Sequence, residues 1–110
     1  MGITLAEFDT MARHGLPILV VVMNNRSWGS TRHFQDLVSG PGKNIAVDLG
    51  AARYHEVAVA LGCHGEAVTA LKDLKPALAR ALASGRPACV DVAIDLEPIP
   101  PDSLVMMSYA

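Results

Sequence analysis

The residues best suited to chemistry in this 110-residue chain are gathered at Asn24-Asn25-Arg26-Ser27-Trp28-Gly29-Ser30. A carboxamide oxygen is a neutral, hard donor that Mg²⁺ and Ca²⁺ accept, but it holds them weakly without a carboxylate beside it. Gly29 and Ser30 suit a phosphate, because glycine lets a ligand approach the backbone and a helix starting there presents free N–H groups. The same residues also read as a plain turn, since asparagine side chains readily bond their own backbone two residues on. Elsewhere the signals are weaker. His14 falls at a helix end, His55 and His64 have no partners at metal-ligand spacing, and His33 could face the site but reads better as packed or solvated; none is assigned a catalytic role. Asp91 and Asp95 alternate on the last expected strand; a strand-end carboxylate such as Asp95 could be functional, yet a solvated end explains it. Cys63 and Cys89 lack CxxC spacing and read as reduced core thiols.

Something must hold the asparagine pair in place, and the preceding run Leu16-Pro17-Ile18-Leu19-Val20-Val21-Val22-Met23 is the obvious support. Its unbroken apolar character predicts a strand over 18–23 covered on both faces, as in a parallel sheet. In open α/β sheets, ligands sit at the carboxyl ends of such strands. Before it, residues 3–15 read as an amphipathic helix. Thr4-Leu5-Ala6-Glu7 fits a capping box, Leu5, Phe8, Met11 and Ala12 share a face, and Gly15 with Pro17 stops the helix.

Downstream, a helix is expected from Ser27 to Leu37, then a turn-rich break from Ser39 to Asn44. Residues 45–49 are ambiguous. A helix over 51–61 capped by Gly62 precedes a short strand near 66–69. The helix over 71–84 begins effectively at Asp73, because Pro76 is tolerated only near a first turn. A strand from Ala88 to Asp95 follows. The tail, 98–110, opens on Pro98, Pro100 and Pro101, and its apolar Leu104-Val105-Met106-Met107 suggests a short helical turn. This order predicts an α/β fold with an open, three-layer parallel sheet over 1–97. Three strands are few for it, and the first helix has no strand before it. The expectation is an incomplete sheet lacking its first strands.

Composition narrows the function classes. Hydrophobic residues make up 51% and the net charge is −2, with basic residues scattered singly. That fits one globular domain and gives no reason to expect nucleic acid or an anionic membrane as partner. The longest apolar run is too short to span a bilayer and follows no basic leader, so a soluble, cytoplasmic protein is expected.

The stretch from Gly2-Ile3-Thr4-Leu5-Ala6-Glu7-Phe8 through His14-Gly15-Leu16-Pro17 to Asn24-Asn25-Arg26-Ser27-Trp28-Gly29 resembles the thiamine diphosphate motif, which opens on Gly-Asp-Gly and closes on paired asparagines. Arg32-His33-Phe34-Gln35, Tyr54-His55, Leu61-Gly62, Ser84-Gly85-Arg86-Pro87-Ala88-Cys89-Val90 and Pro98-Ile99-Pro100-Pro101 extend the likeness over essentially the whole chain. It is similar to the carboxy-terminal end of acetolactate synthase-like thiamine diphosphate enzymes, and within them most resembles benzaldehyde lyase. The resemblance implies a thiamine diphosphate-binding, Rossmann-like domain and a carboligase or lyase acting on a small 2-oxo acid or aldehyde. It implies that Mg²⁺ is held by the Asn25 side chain and the Ser27 main-chain oxygen, with Trp28, Gly29 and Ser30 bordering cofactor and substrate. It further implies a homo-oligomeric parent enzyme.

The Gly-Asp-Gly aspartate of the motif would fall before Met1, and the family's activating glutamate belongs to a domain with no counterpart here. The expected reading is therefore a C-terminal fragment, inactive alone, whose exposed apolar faces favour association. A non-catalytic α/β interaction module is the competing reading. A small nucleotide-binding protein is disfavoured, since no GxGxxG follows a strand.

Overall fold

The structure, a computed structural model, describes residues 4–99, 101, 105 and 108. The elements run α1 (Glu7–Arg13), β1 (Leu19–Asn24), α2 (Gly29–Ser39), α3 (Tyr54–Ala60), β2 (His64–Val68), α4 (Leu71–Ala83) and β3 (Ala88–Ala93). They divide into two compact units, Met1–Asn24 with Arg53–Ile94 and Asn25–Ala52 with Asp95–Ala110.

The first unit holds an open sheet of three parallel strands in the order β1-β3-β2. Register is continuous from Leu19 opposite Ala88 to Asn24 opposite Ala93, and from His64 opposite Ala88 to Val68 opposite Val92. The last strand in sequence is thus central, and its Ala88, Cys89 and Val90 are all buried. Alternation along the strands builds two cores. On one face Val22 and Cys89 pack with Phe8 of α1, Ala58 of α3 and Cys63. On the other, Val68, Ala88 and Val90 pack against Ala77 and Ala81 of α4. The expected α/β, parallel-sheet class is what the structure has.

Helix α3 lies close over β2, and Gly65 permits it. A Cβ there would stand 2.7 Å from Val59 Cγ2 and closer still to the His55 carbonyl oxygen. Burial pushes the Cys89 thiol up to about 12, with the Asp91 carboxylate adding to the effect. Both cysteines are free and buried, as expected of core thiols.

Several expectations are corrected. β1 is not covered on both faces: Val22 is buried, but Val21 is 44% and Met23 70% exposed. An apolar run marks a strand without saying which neighbours cover it, and β1 lies at the sheet edge. The helix expected over 3–15 begins at Glu7 after Ala6, which is already helical and makes no side-chain cap, so Thr4 and Glu7 do not frame it as a capping box. The expected stop does form, with Leu16 N–H bonded to the Met11 carbonyl (3.0 Å) around Gly15 at φ 61°. α4 begins at Leu71 rather than Asp73: the Asp73 N–H reaches the Ala70 carbonyl (3.0 Å), and the helix runs on through Pro76. The expected start at Ile3 lies outside the described residues, as do all but Val105 of the proposed turn in the tail. Among the described residues, no helix is long and apolar enough to cross a membrane.

Candidate functional site

β1 delivers the chain to Asn25, and the turn that follows belongs to the second unit. The Ser27 N–H donates to Asn25 Oδ1 at 3.1 Å, so the plain-turn reading of these residues is realised. Arg26 bends the chain at φ 58°, a left-handed conformation uncommon for a residue with a Cβ. The bend is held from the side. Leu49 N–H donates to the Arg26 carbonyl (2.9 Å), and Trp28 N–H donates to the Val47 carbonyl (2.8 Å). These bonds make Ser27 and Asp48 an isolated antiparallel pair. In such a pair the central residue turns its own N–H and carbonyl away from its partner segment. The Ser27 N–H, turned that way, is the one that meets the Asn25 carboxamide oxygen.

The Ser27 hydroxyl is used otherwise. It is buried and donates to the Val47 carbonyl at 2.9 Å, which anchors the turn rather than offering a ligand. Gly29 opens α2, and a Cβ at this position would stand 2.6 Å from Asn25 Nδ2. The glycine thus makes room for the Asn25 carboxamide itself. Trp28, half exposed, precedes α2, and Ser30 is exposed in its first turn. All five residues singled out from sequence fall within this one turn and helix start. His33, in the same helix, is half-buried.

Residues that sequence reading passed over complete the picture. Ile45, Val47 and Leu49 alternate apolar residues with period two, a short-strand signal, and this stretch pairs with the turn. Beyond it, Asn44 Nδ2 donates to Asp36 Oδ1 (2.8 Å), and the Ile45 N–H donates to Gln35 Oε1 (2.8 Å), fastening the segment to α2. In the first unit, Asp91 of β3 is buried.

Chemically, the turn offers two neutral, hard oxygens and the free N–H groups of an 11-residue helix. No group of three or more histidine, cysteine, aspartate or glutamate side chains is placed to hold a metal among the described residues. A cation drawn to these oxygens would need its negative charge from a ligand such as a diphosphate and from carboxylates outside this set.

Comparison with known proteins identifies the family. Residues 1–92 match the family model described as thiamine pyrophosphate enzyme, C-terminal TPP binding domain. The chain is 41% identical over 95 residues to the acetolactate synthase large subunit IlvG of Mycobacterium tuberculosis, covering 86% of this chain and 17% of that protein. It is 34% identical over 98 residues to the 2-hydroxyacyl-CoA lyase of Oryza sativa subsp. japonica, with the same coverage of 86% and 17%. A sulfoacetaldehyde acetyltransferase of Alcaligenes xylosoxydans xylosoxydans is 32% identical over 82 residues, 74% of this chain and 13% of the relative. The chain thus spans about one-sixth of the length of the first two relatives.

Proposed function

This chain belongs to the thiamine pyrophosphate enzymes, as their C-terminal TPP-binding domain, and we propose that it is the C-terminal part of a carboligase or lyase, supplying the asparagine side of a Mg²⁺–diphosphate grip. The observation that carries the reading is the Asn25–Ser27 turn, which holds the Asn25 carboxamide oxygen against the Ser27 N–H beside a glycine a Cβ would crowd.

Asn25 and Ser27 are hard oxygen donors of the kind Mg²⁺ takes alongside phosphate oxygens, so the residues present fit their half of the site. The Asn25 carboxamide is oriented by its own turn, the Ser27 main chain is anchored through its hydroxyl, and Gly29 leaves the carboxamide its space. Gly29 and Ser30 present the first N–H groups of α2, which favour an anion. Trp28 and Ser30, exposed on the turn, border the cofactor and substrate. When bound, thiamine diphosphate supplies a nucleophilic carbon for attack on a carbonyl and a sink for the electron pair of a broken carbon–carbon bond.

The remaining grip, a carboxylate in particular, is assigned to polypeptide outside these 110 residues. The isolated chain accordingly binds Mg²⁺ and thiamine diphosphate weakly and does not turn over. The substrate is a small 2-oxo acid or aldehyde, and the run Asn25-Arg26-Ser27-Trp28-Gly29 with His33-Phe34-Gln35 supports a benzaldehyde lyase-like member. The parent enzyme is proposed to be a homo-oligomer, and its free thiols suit a reducing, cytoplasmic setting. A non-catalytic interaction module would instead work through the exposed sheet face, but such a role would not require the Gly29–Asn25 arrangement.

The test is a chimaera in which this chain replaces the matching segment of the M. tuberculosis relative. Mg²⁺-dependent turnover should persist, and Asn25→Ala should raise the Mg²⁺ needed for half activity by about tenfold or more. An unchanged Mg²⁺ requirement in Asn25→Ala, or turnover by the isolated chain, would overturn the proposal.

A further inference from the structure

The first unit carries a buried carboxylate that packing alone does not account for. Asp91 sits on central strand β3 opposite Val22, among apolar residues that a valine would match. A buried carboxylate costs several kcal/mol unless its oxygens are satisfied. Here they are. Oδ1 accepts from Asn24 Nδ2 at 3.0 Å, and Oδ2 accepts from the Tyr54 N–H at 3.1 Å and lies 3.3 Å from His55 Nδ1.

Each partner has structural meaning. Tyr54 is the first residue of α3, whose preceding residue Arg53 gives no side-chain cap, so Asp91 satisfies one of the helix's orphan donors from another element. A carboxylate also suits the positive end of the helix dipole. Asn24 is the last residue of β1, and its main-chain carbonyl is engaged too, accepting from Ile94 N–H at 3.1 Å. Asn24 is therefore held by side chain and main chain at the point where the chain leaves the sheet.

We propose that Asp91 is a positioning residue, which through Asn24 fixes the exit of β1 into the Asn25–Ser27 turn and ties that exit to the start of α3. The importance of that turn for a cofactor rests on the proposed function above; the clamp itself does not. The first asparagine of the pair thus has a task distinct from the second: Asn24 aims the chain, and Asn25 closes the turn through its oxygen.

Amide exchange measured by NMR on the purified chain, with no cofactor present, tests this. The Ser27 N–H is the reporter, because its protection reads the Asn25 Oδ1 bond. In Asp91→Ala, exchange at Asn24 and Ser27 should quicken about ten- to a hundredfold, the usual weight of a hydrogen bond to a charged group. Exchange at Val90 and Ala81 should change less. Should that variant not fold, Asn24→Ala removes the donor yet keeps the Tyr54 bond, and should loosen Ser27 alone. The pair Asn24→Asp with Asp91→Asn reverses donor and acceptor, leaves one oxygen for Tyr54, and should restore Ser27 protection. Wild-type exchange at Ser27 in Asn24→Ala, or a change uniform across the sheet, would overturn the inference. Neither result touches the Mg²⁺ dependence on which the proposed function stands.

Discussion

The two faces of the three-stranded sheet are built from the same kinds of residue and finished very differently. On the face bearing α1 and α3, Phe8, Ala58, Cys63 and Cys89 are each 3% exposed or less. On the face bearing α4, the inner half is closed over Ala77, Ala81 and Val90, but the outer half opens into a groove lined by Val21, Met23, Leu71, Leu74, Val92 and Ile94. Met23 is 70% and Leu71 85% exposed there. Apolar sequence on both sides of a strand therefore states what the strand is made to meet, not what this stretch of chain provides. Stability within this unit should come chiefly from the first face.

The sharpest way to break that comparison is Phe8→Ala. Phe8 is among the largest fully buried side chains described, and it joins α1 to β1, α3 and β3 through one cluster. Truncating a buried aromatic costs about 3–5 kcal/mol from lost transfer energy and the cavity left behind. Against the 5–15 kcal/mol typical of a whole domain, that is a large share. Urea denaturation should show a midpoint sharply lowered with little change in slope. A midpoint close to wild type would mean that the closed face is not where this unit is held together.

How far the faces were legible in the sequence follows from the physics of each signal. Periodicity located the elements, because a helix stripe such as Leu71, Leu74, Leu78 and Leu82 and a strand run such as Val20-Val21-Val22 are local properties. It could not rank the faces, since strand order β1-β3-β2 depends on pairings made across the whole chain. The turn at Asn25 was legible because asparagine, serine and glycine have specific backbone uses. The Ser27–Asp48 bridge that steadies it was not, because one antiparallel pair is too short to leave more than three alternating apolar residues. The role of Asp91 was not legible for a related reason. A carboxylate on a strand is usually solvated, and only the arrival of Asn24 from β1 and of Tyr54 and His55 from the start of α3 makes its burial affordable.

A smaller effect is expected on the α4 face, where an ion pair does part of the fastening. Arg80 Nη2 and Nε contact the Glu66 carboxylate at 2.6 and 3.1 Å, and His64 Nε2 lies 2.7 Å from its other oxygen. The Arg80 guanidinium holds the Glu66 carboxyl below the usual carboxylate value, with His64 adding to it. A depressed folded-state value means the contribution is fully present above the unfolded carboxylate's titration and is lost as pH falls through the folded one. Glu66→Gln should therefore lower the melting temperature slightly at neutral pH. The gap from wild type should close as pH drops below the ordinary glutamate range. A gap that persists in acid would assign the loss to packing rather than charge.

The smallest change in stability should come from Met23→Ser, on the open half of the same face. A side chain already 70% exposed gives up little burial on folding, so the substitution should stay within about 0.5 kcal/mol of wild type. Its consequence should appear elsewhere. Val21, Met23, Val92 and Ile94 make a contiguous apolar lining, and such linings drive association when left in water. Sedimentation velocity at rising concentration should show less self-association in Met23→Ser than in wild type, at equal folding stability. The two measurements together separate what the two faces do. If Met23→Ser costs as much stability as Phe8→Ala, Met23 is buried in the working molecule and the groove is closed by this chain itself. If stability is unchanged and association falls, the first face holds the fold while the second remains a surface for something to cover.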